Sequence, residues 1–180
     1  MAKKKEVSFK LIMIIMIFSL ILAALWNSLP WLKDAIHYLL DPTAGALINW
    51  NLSVGMLIVV FLIAVLTTVI QKYTTDQEAL KELKKEQKQV QEQLKKLERG
   101  SKEHQELTMK SFSSMAPMMK LSMRSFVYTG VPFILFFRWF SDFFTTIGDP
   151  IFFGFINWFW FYLIFSVIFS SILRKWWNVA

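Results

Sequence analysis

Cysteine is absent from the 180 residues, which removes a disulfide framework, a thiol nucleophile and any Cys-based metal site. Histidine is nearly so, with His37 and His104 the two in the chain. Charge is thin as well: 18% of residues are charged, against about a quarter in soluble domains, while 55% are hydrophobic and 17% aromatic. That scarcity excludes a soluble enzyme with a mixed surface. Catalytic patterns are also missing, with no His-Glu-x-x-His, no phosphate-binding glycine loop and no paired carboxylates inside the apolar runs. The chain therefore reads as a membrane protein rather than an enzyme, with no cofactor and no metal expected.

What is present is four apolar segments and one polar block. The segments run from Leu11 to Trp26, Val54 to Ile70, Ser125 to Phe144 (with Pro132 and Arg138 inside it) and Ile151 to Leu173. A hydrocarbon core of ~30 Å needs about 20 helical residues, or ~17 at the short end, so the first segment is marginal. It follows Lys3, Lys4, Lys5 and Lys10, which is also how a secretory signal begins. An uncleaved anchor is the favoured reading and a cleaved signal the alternative, because Leu25-Trp26 stand where a cleavage site wants small residues.

The distribution of basic residues sets the orientation. With the N-terminus inside, the inner pieces hold 18 Lys and Arg, the outer pieces hold Lys33 alone, and Arg138 lies within a span. The polar block and both termini are thus expected on the cytoplasmic side of a multi-pass protein of the cell membrane. Residues 73–110 carry nine basic and eight acidic side chains, so no specific nucleic acid is expected beyond a ribosome contact. On the outer side, Ser28 to Leu40 puts Leu32, Ala35, Ile36 and Leu39 on one helical face, with Lys33, Asp34 and His37 elsewhere. That pattern predicts a short interfacial helix with a solvated His37.

The polar block opens with an unambiguous helix over Tyr73 to Arg99. Leu80, Leu83, Gln87, Val90, Leu94 and Leu97 alternate spacings of three and four, the seam of a coiled coil with one polar member. Gly100-Ser101 supplies a stop and a new N-cap. A first arm of ~40 Å and a return of ~36 Å match in length, which favours an antiparallel hairpin over a parallel homodimer of the first arm. The return carries Met109, Met115, Met118, Met119 and Met123, with Pro117 expected to interrupt the helix. Methionine clusters suit surfaces that accept varied apolar partners, while an amphipathic helix lying in the inner interface is the plainer alternative.

Polar residues at membrane depth gather toward the cytoplasmic half. Thr67, Thr68 and Gln71 end the second segment, Ser125, Tyr128 and Thr129 begin the third, and Tyr162, Ser166 and Ser170 recur every four residues down the fourth. Three helices contributing such faces at one depth predict a hydrated groove. Ordinary hydroxyl-mediated packing is the alternative for any single residue. Lys72, Arg124 and Arg138 are the candidate groove cations. For Arg138 the preferred role is structural, pairing with Asp142 one turn further out.

The run Leu66-Thr-Thr-Val-Ile-Gln-Lys-Tyr-Thr-Thr-Asp-Gln77 leads into the seam, and Ser114-Met-Ala-Pro-Met-Met119, Tyr128-Thr-Gly-Val-Pro132 and Ser170-Ser-Ile-Leu-Arg-Lys175 follow. In that order they resemble the archaeal YidC-like membrane proteins, which are similar to bacterial YidC, to the insertase subunit of the endoplasmic-reticulum membrane protein complex and to the coiled-coil calcium-leak protein of that membrane. The resemblance covers about residues 50–180. It implies an all-α integral membrane protein with a three-helix core and a cytoplasmic antiparallel coiled-coil hairpin, to which the first apolar segment, outside the shared part, adds an extra N-terminal membrane helix. The corresponding layout is anchor or signal 1–27, interfacial helix 28–47, first core helix 48–72, coiled coil 73–108, Met-rich return 109–124 and two further core helices 125–180. It further implies an insertase and chaperone that passes nascent membrane-protein clients through the groove, with the lipid bilayer and the ribosome as partners. One departure is that Val54 to Ile70 lacks the positive residue such grooves carry. An ion channel and a coiled-coil tether are the rival classes.

Overall fold

The computed structural model describes residues 9–97, 100–123 and 125–179; Lys3, Lys4, Lys5 and the candidate cation Arg124 lie outside them. The described residues form helices α1 (Phe9–Ala24), α2 (Pro30–Leu40), α3 (Ala46–Trp50), α4 (Leu52–Thr74), α5 (Gln77–Leu94), α6 (Lys102–Ser122), α7 (Phe126–Thr146) and α8 (Trp158–Trp176). A 3-10 turn at Trp26–Ser28 and a π turn at Asp41–Gly45 link the early helices. Helices α4 and α8 are long and apolar enough to cross a membrane. Exposed Trp50 and Trp160 mark one end of this pair and exposed Tyr73 and Trp176 the other, where amphipathic rings favour a lipid–water boundary.

Local chemistry fixes the helix ends. Asn51 is extended, and its Oδ1 accepts the Val54 N–H at 3.0 Å, starting α4 immediately after α3. Gly55 makes that reversal fit, because a Cβ there would sit 1.9 Å from the carbonyl oxygen of Leu47. Asp76 accepts the Ala79 N–H at 3.2 Å and starts α5. The helix expected to run unbroken through Tyr73 therefore breaks at Thr75, whose extended backbone (ψ 143°) separates α4 from α5. Gly100, at φ +98°, turns the chain, and Ser101 caps α6 by accepting the His104 N–H at 3.1 Å. Pro117 does not interrupt α6, which continues to Ser122.

Two pairs of helices approach closely along their lengths, α1 with α7 and α4 with α8. Ile12 and Ser19 on α1 and Trp26 just beyond it recur every seven residues and are buried, a narrow stripe suited to one neighbouring helix. The two pairs meet through ring side chains. Trp139, Phe140, Phe143 and Phe144 from α7 pack with Met56, Val59 and Val60 from α4, with Phe161 from α8 and with Phe152 from the loop before it. The Phe144 and Trp158 rings stack within 6° at 5.7 Å, and Phe152 meets Phe161 at 4.3 Å.

Helices α5 and α6 form a separate antiparallel pair. The six seam positions from Leu80 to Leu97 are all buried or half-buried, and Glu86 and Lys110 face each other at 3.6 Å across the pair. Lys81 donates to Asn178 Oδ1 at 2.8 Å, which ties the base of this hairpin to the turn after α8.

Candidate functional site

A recess of about 350 Å³ opens between α4, α7 and α8, on the hairpin side of the ring-filled layer. Ala64 and Thr67 come from α4, Phe133 and Phe137 from α7, and Tyr162, Ser166 and Ser170 from α8. The i, i+4 recurrence along α8 is what aligns its three polar residues on one wall. Phe137 meets Tyr162 edge-on at 5.1 Å, and Phe133 lies 4.8 Å from Phe137, so the aromatic layer becomes the floor.

Two of the four hydroxyls here are already engaged. Thr67 donates to the carbonyl of Ile63 at 2.9 Å and Ser166 to that of Leu163 at 3.0 Å. Such back-bonding satisfies a donor inside a helix and leaves oxygen lone pairs facing the recess. Tyr162 Oη and Ser170 Oγ hydrogen-bond no described residue. The recess thus offers two free hydroxyls and no charge among its described lining residues.

Other groove candidates stand apart from this wall. Thr68 is buried and donates to Ala64 at 2.6 Å, a packing role. Gln71 lies in the last turns of α4, where its carbonyl accepts from Gln77 Nε2 at 2.9 Å. Ser125 and Thr129 donate to backbone carbonyls of their own segment at 3.1 Å each, and Tyr128 is exposed. Lys72 is exposed at the end of α4.

Arg138 and Asp142 do not pair as expected. Asp142 Oδ2 instead accepts from Trp26 Nε1 at 2.7 Å and lies 2.8 Å from Lys33 Nζ. Arg138 lies one turn away on α7, and its Nε is buried with no hydrogen-bond partner among the described residues. The expectation for α2 changes in the same way. Lys33 and His37 lie on the less exposed face with Leu32, Ile36 and Leu40, while Leu39 is exposed. His37 Nδ1 is 3.1 Å from both carboxylate oxygens of Asp41, and Asp41 Oδ1 accepts from Trp139 Nε1 at 2.8 Å. Two carboxylates, each holding an indole N–H, therefore join α1 and α2 to α7. Partners more than ninety residues apart carry no local sequence signal.

The methionines divide. Met109, Met115 and Met119 are exposed beside exposed Phe112, while Met118 and Met123 are half-buried. The inward stripe of α6 is His104, Leu107, Ser111, Ser114, Met118 and Leu121. Helix α6 thus turns two serines toward its partner among Leu107, Met118 and Leu121, and leaves Met109, Phe112, Met115 and Met119 outward.

Fold and site together define an all-helical integral membrane protein with a hydroxyl-lined recess and an exposed apolar helix face beside it. A family model described as integral membrane protein EMC3/TMCO1-like matches residues 37–163, and the chain belongs to that family. The family is part of the YidC/Alb3/EMC3 insertase superfamily. No curated protein and no solved structure gives a match.

Proposed function

We propose that the protein is a membrane insertase, with no bond made or broken in its cycle. It stands in the cell membrane as a multi-pass protein with the α5–α6 hairpin and both termini in the cytoplasm. The hairpin is an antiparallel coiled coil that can meet the ribosome. The outward face of α6, with Met109, Phe112, Met115 and Met119, takes up the apolar segment of a nascent membrane protein, as flexible thioether side chains adapt to varied shapes. The short polar end of that client then passes through the recess. Bare backbone groups in hydrocarbon cost on the order of several kcal/mol each, and a hydroxyl-lined recess shortens the stretch over which that cost applies. Burial of the client's apolar helix supplies the drive, at ~0.8 kcal/mol per CH₂.

The observation that carries this reading is the convergence of Thr67, Tyr162, Ser166 and Ser170 on one recess at the border of the aromatic layer. Photocrosslinking probes at Thr67, Ser170 and Met115, with Phe153 as control, test it in proteoliposomes during cell-free synthesis of a small membrane protein. Client adducts at the first three sites are expected, with none at Phe153, and they disappear in Ser166→Leu/Ser170→Leu. Equal labelling at all four sites, or none, overturns the groove.

A further inference from the structure

We infer that the recess, taken as the client site just proposed, selects uncharged polar segments and discriminates against acidic ones. Its described lining holds hydroxyls, rings and aliphatic groups and no cation. The cation nearest in the sequence of α7 is Arg138, next to the recess residue Phe137. A step of one residue turns the helix by about 100°. Arg138 is four residues before Asp142, which Trp26 and Lys33 hold, and it is not among the residues that line the recess. Lys72 and Arg174 are exposed in the last turns of α4 and α8, beyond the lining and nearer the helix ends.

Two free hydroxyls, Tyr162 Oη and Ser170 Oγ, sit eight residues apart, about 12 Å along α8. Each can donate to or accept from a peptide group or a Ser, Thr or Asn side chain of a passing segment. A carboxylate beside either hydroxyl would gain one neutral hydrogen bond and no counter-charge against walls of Phe133, Phe137 and Leu163. Hydrogen bonds compensate a buried amide or hydroxyl, whereas a buried charge also requires a partner ion.

The test uses the full chain in uncharged phosphatidylcholine vesicles, so that membrane charge does not sort the clients. Three single-span clients differ only in the translocated tail, which carries Ser and Asn alone, two added Asp, or two added Lys. Protease protection reads insertion above empty vesicles. Insertion of the neutral tail is expected to exceed that of the Asp tail by about tenfold or more, the scale set by the cost of an uncompensated acid at membrane depth. Ser166→Lys should raise Asp-tail insertion and lower that of the Lys tail. Ser170→Arg, nearer the mouth, should do the same and serves if the first variant fails to fold. Arg138→Gln should leave the order of the three tails unchanged. Equal insertion of neutral and Asp tails overturns the selectivity and leaves the insertase reading standing, as does a changed order in Arg138→Gln. No insertion of any tail above empty vesicles overturns the insertase reading and this inference with it.

Discussion

The two halves of the α4–α7–α8 core use the same three helices and end in opposite states. Toward Asn51 and Trp158 the space is filled by Trp139, Phe140, Phe144 and Phe161, all fully buried. Toward Thr74 and Phe126 the facing residues shrink to Ala64, Thr67, Ser166 and Ser170, and a recess remains. Since α7 meets α4 and α8 chiefly through ring side chains, the separation of these helices is set where the rings are. The smaller residues below then cannot close the gap. One half is a spacer that props the other open, and in a bilayer this depends on packing rather than on exclusion from water, because lipid tails are as apolar as the rings.

The comparison can be broken at its hinge. Gly55→Val drives a side chain into the α3 backbone, where even a Cβ would lie 1.9 Å from the Leu47 carbonyl oxygen. We expect a loss of more than about 4 kcal/mol, read as failure to recover monodisperse protein in detergent. Phe144→Ala removes the ring between Phe140, Phe152 and Trp158 and should cost about 3–5 kcal/mol in thermal unfolding, with the recess residues becoming less accessible to crosslinking as the helices close. Asp142→Asn keeps an acceptor for Trp26 but removes the charge beside Lys33; about 1–2 kcal/mol should be lost, with faster amide exchange in α1 and α2 than in α8. Thr67→Val sharpens the contrast from the other side. Its hydroxyl is bonded to its own helix, so stability should change by less than about 0.5 kcal/mol in the same melt.

Much of this arrangement was legible in the sequence because it is periodic. The α4 and α8 spans follow from length and apolarity, the inward stripe of α5 from three-and-four spacing, and the break at Gly100-Ser101 from cap chemistry. The wall of Tyr162, Ser166 and Ser170 follows from a four-residue recurrence. Long-range partners were not legible. Within α2 alone, Lys33 and His37 belong on the wet face; carboxylates on α7 and at the end of α2 draw them inward. Asp142 is one turn from Arg138 in sequence, yet a distant lysine and indole hold it. In α6, the methionine run suggests a surface for apolar partners, and only the packing reveals which of its residues, Ser111 and Ser114 among them, face inward. Continuity through Pro117 was equally hidden, since proline lowers helix propensity without forbidding a helix.

That proline has a dynamic consequence. Its nitrogen carries no hydrogen, so the carbonyl one turn earlier, at Ser113, loses its helical donor, and the ring crowds the same turn. Ser113 and Ser114 nearby bond back to Lys110 and Ser111 at 2.8 and 2.9 Å, a competing pattern that further loosens the ladder. The weakest rung of α6 therefore lies between the part that meets α5 and the part that carries Met118 and Met119.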